Sequence, residues 1–212
     1  MAKIKAPIPQ AGHHGATTPQ RILVLQGHPD PAGGHLCHAL AEAYVEAAQL
    51  GGHDVRMIDA ASLDIPLLRS AREWNEAPRP PGLRPVQEAL TWCEHVLILF
   101  PLWMGDMPAR LKALFEQVGR PGFAFPKGKL SLGGKKALAG RSARLIVTMG
   151  MPAIVYRVLY RSHSVKALER NLLGFIGFAP IHETLIGRVE DASTKTRAGW
   201  MKTMREWGTV AM

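Results

Sequence analysis

Two short stretches of this chain carry residue types that could hold a ligand. In "GHPDPAGGHLCHAL" (27–40) a Gly/Pro loop leads directly into a helical pattern. The backbone N–H groups of Gly33, Gly34, His35 and Leu36 are therefore expected at a helix N-terminus, where unpaired amides and the helix dipole attract anions. In "FPLWMGDMPARLK" (100–112) an apolar run meets a proline, a tryptophan and a glycine. Pro101 is expected to end hydrogen bonding to the neighbouring strand, and Gly105 to permit a backbone turn closed to other residues. Between them Leu102, Trp103 and Met104 can offer main-chain N–H groups to a flat, polar heterocycle, with Trp103 as an apolar wall. A third small-residue turn opens "TMGMPAIVYRVLYRSHS" (148–164). His28, His35 and His38 invite a metal reading, because 35 and 38 stand three apart on one helix face. No carboxylate or cysteine set completes a coordination shell, so no metal is expected.

The elements that must position these turns alternate regularly. Short apolar runs read as strands at 21–26, 54–59, 95–100, 143–149 and 181–187, and helical spacing appears at 35–51, 86–94, 108–119, 165–178 and 193–208. Residues 62–85 hold too many prolines for regular structure and read as a long loop, as do 123–141. In the closing helix Trp200, Met204 and Trp207 share one face. Strands apolar on both sides and separated by helices predict an α/β, flavodoxin-like three-layer sandwich, a five-stranded parallel sheet of order 2-1-3-4-5 with helices on both faces. In such sheets ligands sit outside the carboxyl ends of the strands, beside strands one and three.

Composition narrows the function classes. With 212 residues the chain suits one domain, here read as 21–212 after a flexible leader over 1–20. Lys and Arg exceed Asp and Glu by 26 − 17 = 9, a charge that attracts phosphate-bearing ligands or anionic surfaces. No run of five basic residues occurs and the aromatics are not interleaved with charge, so no nucleic acid is expected as a partner. The two cysteines, Cys37 and Cys93, show no metal spacing and fit a reducing, cytoplasmic compartment. No apolar run reaches the roughly 18–20 residues of a membrane span, and the first twenty residues lack the apolar stretch of a signal peptide.

Taken together, "ILVLQGHPDP", "FPLWMGDMPARLKALFEQV", "PGFAF", "LIVTMG" and "LGFIGFAPI" resemble the NAD(P)H:quinone oxidoreductases, flavodoxin-like flavoproteins that reduce quinones by two electrons. The resemblance spans about residues 21 to 190. It implies that His28 and the loop from Gly33 through Gly34, His35 and Leu36 to Cys37 hold the flavin phosphate. It implies further that Pro101, Leu102, Trp103, Met104 and Gly105 lie under the isoalloxazine ring. Thr148, Met149, Gly150 and Met151 would run along the ring's pyrimidine edge, with both methionines narrowing the site. Tyr156 and His163 are the implied catalytic pair beside reduced flavin, and Phe123 and Phe125 the cap on the substrate side. One departure is plain: residues 27–38 contain no Ser, Thr or Asn, where relatives carry hydroxyl and amide side chains.

The resemblance implies FAD or FMN as cofactor, NADH or NADPH as donor, a small-molecule quinone or related electrophile as acceptor, and a homodimer whose partner completes the site. An ancillary subunit of a membrane potassium-efflux system is the alternative, its basic surface docking at a peripheral membrane partner; the band of Arg157, Arg161, Lys166 and Arg170 reads as a solvated face or as a contact for an adenosine phosphate of NADPH or FAD. A small electron carrier ranks last, because such carriers are acidic and keep a hydroxyl-rich phosphate loop.

Overall fold

Branched and apolar residues fill the middle of the sheet in the computed structural model, which describes residues 18–124 and 136–212. The strands are β1 (Arg21–Gln26), β2 (Asp54–Asp59), β3 (His95–Pro101), β4 (Ser142–Thr148) and β5 (Ile181–Ile186). They pair in the order β2-β1-β3-β4-β5, all parallel, with Leu25 opposite Ile98 and Leu99 opposite Ile146. Order and direction are those expected from the alternation of apolar runs and helices. No described helix is long and apolar enough to cross a membrane.

Successive strand residues point to opposite faces, and each face has its own cover. Ile22, Val24, Leu97, Leu99 and Ile146 pack under α1 (Leu36–Leu50) and α8 (Thr194–Thr209). Leu23, Leu25, Val96, Ile98 and Val147 pack under α3 (Arg84–Trp92), α4 (Ala109–Val118), α5 (Ala153–Val158) and the helical run that begins with α6 (His163–Ala167). Gly208 lets α8 lie directly on α1, because a Cβ there would sit 2.4 Å from the Tyr44 carbonyl oxygen. Trp200, Met204 and Trp207 are all buried on that face, as their spacing predicts. Arg144 is buried there too, its guanidinium 4.1 Å from the centre of the Trp207 ring.

Four stretches differ from the sequence reading. The loop expected over 62–85 contains a short helix, α2 (Ala71–Asn75), capped by Ser70, whose Oγ accepts from the Glu73 N–H at 3.1 Å. The rest of that loop is ordered by arginines reaching across from and beside α4. Buried Arg120 donates to the carbonyls of Glu73, Trp74, Ala77 and Pro78, and Arg110 to those of Ala60, Ala61 and Leu63. The turn expected at 148–164 contains α5, started by Pro152, whose fixed φ suits a helix N-terminus. The helix expected from 165 begins at His163, passes through a π-helical stretch (Leu168–Leu173) into α7 (Gly174–Ile176), and stops at Gly177, where φ is +124°. Pro101 does not end the ladder: it pairs with Thr148, and the Leu102 N–H continues it by donating to the Thr148 carbonyl at 2.7 Å. Of the leader expected over 1–20, residues 1–17 lie outside the described residues. Gln20 already belongs to the fold, its carbonyl accepting from Asp54 N–H at 2.9 Å.

Candidate functional site

Because the strands are parallel, the turns after β1, β3 and β4 open at one rim. The first starts at Gly27, which closes on β3 through an N–H bond to the Leu99 carbonyl at 2.7 Å. Gln26, fully buried beneath it, accepts from the His28 N–H at 3.0 Å, while its Nε2 has no partner among the described residues. Asp30 N–H donates to His28 Nδ1 at 3.2 Å, so the neutral ring carries its proton on Nε2, which makes no hydrogen bond among the described residues. Burial first, then the neighbouring His35 and His38, push His28 down to about 4. Asp30 Oδ1 accepts from Ala32 N–H at 2.9 Å and Oδ2 lies 2.7 Å from His35 Nε2. The His35 contact holds the Asp30 carboxyl below the usual range.

Gly33 and Gly34 both take φ of +74°, and nothing lies within 4 Å of where a Cβ would be. This outward-bulging pair delivers the chain to the start of α1. His35, the residue before the helix, gives it no side-chain cap. Its ring stacks on His28 at 3.9 Å between centroids and 18° between planes, and His38 stands 5.3 and 5.7 Å from the two. Nitrogen lone pairs lie in the ring planes, so two parallel, stacked imidazoles cannot both point at one metal ion. Cys37 is buried, with Sγ 3.2 Å from Thr148 Oγ1, tying the start of α1 to the end of β4. Burial pushes its thiol up to about 11.

The second turn is tighter than the sequence reading supposed. Trp103 and Asp106 exchange both backbone bonds, at 2.8 and 2.9 Å. Met104 and Gly105 between them take φ of +51° and +81°, the two-residue turn that favours glycine. The amides of Leu102 and Trp103 are thus consumed inside the protein and cannot serve a ligand as expected. Among the described residues those of Met104 and Gly105 have no partner. Trp103 keeps half its surface exposed, with its ring edge-on to His28 at 6.1 Å. Met104 is fully exposed at the tip.

The third turn departs from the expectation in one respect. Met149 is buried in the core beneath the sheet and does not narrow the rim. Met151 is partly buried against the same core. The turn is fastened to the segment after β5, where Arg188 N–H donates to the Met151 carbonyl at 3.2 Å and Val189 N–H to that of Met149 at 3.3 Å. Gly150 is exposed, and the Glu190 carboxylate lies 3.5 Å from the position its Cβ would take. Nothing in the sequence around Glu190 had pointed to the site.

The structure does not bring Tyr156 to the rim. It is fully buried, its hydroxyl 2.6 Å from Ser164 Oγ and accepting from Val165 N–H at 3.4 Å. Tyr160, two residues beyond the end of α5, is the exposed tyrosine, and its Cδ1 comes within 3.9 Å of the Cβ position of Gly105. His163 is exposed at the start of α6. Phe123 is partly buried against the core, and Phe125 lies outside the described residues. Beside the rim, Ile154, Val158 and Leu159 of α5 and its end are exposed by 64%, 67% and 75%.

Known proteins share this fold. Residues 20–209 match the family model described as Flavodoxin-like fold (Flavodoxin_2). A ribosyldihydronicotinamide dehydrogenase-like protein from Penicillium crustosum is 29% identical over 155 residues, 61% of this chain, and the chain spans 57% of that relative's length. An NAD(P)H:quinone oxidoreductase from Methanothermobacter marburgensis superposes with a TM-score of 0.74 at 18% identity, over 91% of this chain and 96% of that one. An FMN-dependent NADH-azoreductase from Bacillus anthracis, solved with FMN, gives 0.66 at 13% identity, over 90% and 98%.

Proposed function

The chain belongs to the flavodoxin-like-fold family, and from that we propose that it is a flavin-dependent NAD(P)H oxidoreductase acting on a quinone-type acceptor. The observation that carries this reading is the meeting of three ligand-competent turns at the carboxyl ends of β1, β3 and β4, the rim where this fold binds flavin. The similarity to a quinone oxidoreductase, an FMN-dependent azoreductase and a ribosyldihydronicotinamide dehydrogenase-like protein supports it. The residues present fit a flavin nucleotide. His28 Nε2, the orphaned Gln26 Nε2 and the amides beside Gly33 and Gly34 offer donors to a phosphate. Met104 and Gly105 amides, with the Trp103 ring, offer polar and apolar contact to a ring system.

When bound, a flavin, FMN or FAD, supplies two-electron chemistry between a nicotinamide donor and an acceptor that occupy the same place in turn, a ping-pong sequence. The chain's own part is to bind, orient and exclude water. Trp103 walls one side of the rim. The amides of the third turn, around Gly150, supply donors where negative charge develops, and the Glu190 carboxylate beside them limits how much charge that turn tolerates. The hydroxyl facing a substrate is assigned to Tyr160, with His163 a turn away. Tyr156 acts as a positioning residue that fixes the start of α6 through Ser164 and Val165. A second copy of the chain covering Ile154, Val158 and Leu159 would close the open side, the homodimer that the resemblance implies.

The test is direct. The purified protein, loaded with FMN or FAD, is titrated with NADH or NADPH and a benzoquinone. The expected result is a bound-flavin absorbance band that bleaches with the donor and returns with the quinone. Flavin retention without either step would refute the enzymatic reading.

A further inference from the structure

Resting on the flavin reading above, we propose that the loop after β1 is an imidazole-lined anion site that takes up a proton as it takes the cofactor's phosphate. Flavin nucleotide affinity then rises on acidification. The ground is the exchange of chemistry within residues 27–38, which offer an anion no Ser, Thr or Asn but three histidines. His28, His35 and His38 gather at the start of α1 with centroids 3.9 to 5.7 Å apart. A hydroxyl donates a hydrogen bond at any pH, whereas an imidazole donates from both nitrogens and adds a full charge only when protonated.

Three further observations point to a missing anion. Both ring nitrogens of His38 are buried without a partner among the described residues, a state that is costly until a partner arrives. Fully buried Gln26 leaves its Nε2 donor equally unpaired beneath the same loop. The first turn of α1 carries no acidic residue and no side-chain cap, and the nearby Asp30 carboxylate is engaged by His35 at 2.7 Å rather than by the helix amides.

The charges around the cluster set the sign. Asp30 and Asp59 are the anionic groups that act on His28, and His35 and His38 the basic ones. The Cys37 thiol, pushed up to about 11, contributes no charge near neutrality. In the free protein the crowding of three imidazoles disfavours charge on His28, which sits at about 4. A phosphate placed among them reverses the local field and favours protonation. Each imidazole that becomes charged on binding takes up one proton, which steepens the dissociation constant by up to tenfold per pH unit. The phosphate of FMN, with a second pKa of about 6, loses charge on acidification. Its own titration therefore acts in the opposite direction and cannot produce the effect.

The experiment compares FMN with riboflavin, which has the ring but no phosphate. Dissociation constants for the full-length apoprotein are measured by fluorescence quenching between pH 6.5 and 8.5, with proton uptake taken from calorimetry in two buffers of different ionisation enthalpy. The expected result is an FMN constant that weakens about 3- to 10-fold per unit of rising pH, uptake near one proton, and a flat riboflavin constant. The triple variant H28Q/H35N/H38Q is expected to bind FMN more weakly and without the slope. H35N alone is the second variant, because the His35 side chain is 42% exposed and its loss spares the core. Equal slopes for FMN and riboflavin, or a full slope kept by the variants, would overturn the proposal. If neither flavin binds, the function proposed above fails by itself, and inorganic sulfate, dianionic throughout this range, decides the anion site. Thermal stabilisation by sulfate that is larger at pH 6.5 than at 8.5 and lost in the variants upholds it. Stabilisation equal in parent and variants overturns it.

Discussion

Replacing Gly187 by alanine tests whether the third turn is held rigidly at the rim. Gly187 follows β5 directly beneath that turn. A Cβ there would stand 2.3 Å from the Ala153 nitrogen, 2.6 Å from the Met151 oxygen and 3.0 Å from the Pro152 carbonyl carbon. All three are backbone atoms, so no side chain can swing aside. Ordinary contact begins near 3.4 Å, which asks the turn to retreat by about 3.4 − 2.3 = 1.1 Å. The bond from Arg188 N–H to the Met151 carbonyl resists that retreat. Overpacking typically costs about 1–3 kcal/mol, and backbone on every side puts G187A near the upper figure. At about 2–4 °C per kcal/mol for a chain of this size, the melting temperature falls by about 6–12 °C. Flavin affinity falls with it, because the turn that moves is the one bearing Gly150. The control is G199A. Gly199 is exposed in α8 with nothing within 4 Å of a Cβ, so alanine there stabilises by about 0.5–1 kcal/mol. Differential scanning fluorimetry of both variants, with and without FMN, reads all four quantities. If G187A melts with the parent protein, the tight seating of the third turn is wrong.

Three further predictions use other parts of the molecule. R120A strands the carbonyls of Glu73, Trp74, Ala77 and Pro78 and is expected to cost about 2–4 kcal/mol, read by urea denaturation and by new proteolytic cuts between 63 and 83; R120K does not rescue it, because an ammonium cannot span the fork. W103A should leave stability within about 0.5 kcal/mol, since the ring is half exposed, while weakening flavin binding about 3- to 10-fold, measured by fluorescence titration. His95 is buried and burial lowers it to about 3, so between pH 6.5 and 3 the unfolded chain binds a proton the folded one refuses. Stability therefore drops as pH falls, by about 2 kcal/mol from pH 7 to 5. H95F removes that increment of acid sensitivity in parallel pH melts.

Much of the fold was legible because burial on both faces leaves an unmistakable run, as in "VLILF" before Pro101. Parallel pairing followed from the alternation, and strand order from the match of five strands and this chain length to the flavodoxin-like doubly wound arrangement. α2 was hidden by the prolines on either side of it, although Ser70 and Glu73 stand at capping-box spacing and could have disclosed it. α5 was hidden because Pro152 reads equally as a turn and as a helix start. That the three turns share one rim was legible, but side-chain facing within it was not. Tyr156 lies within α5 and Tyr160 two residues beyond its end, and only where that helix stops decides which of them is swallowed and which emerges. The amides of Leu102 and Trp103 looked available until the exchange with Asp106 and the bond to Thr148 consumed them. Glu190 reaches the third turn through the path of the chain after β5, a long-range consequence with no local signature.

The pairing of α1 with α8 sets the timing of synthesis against that of folding. Half of the cover this pair gives the sheet comes from residues 36–50 and half from 194–209, so 194 − 50 − 1 = 143 residues separate them along the chain. At about 5–20 residues per second a translating chain needs roughly 7–30 s to cross that interval. By its end Tyr44, Leu97 and Ile146 have all been synthesised but have not yet met Trp200 and Trp207. The nascent protein thus passes through a long half-covered stage, and a chaperone that binds apolar sheet surface would find its client there.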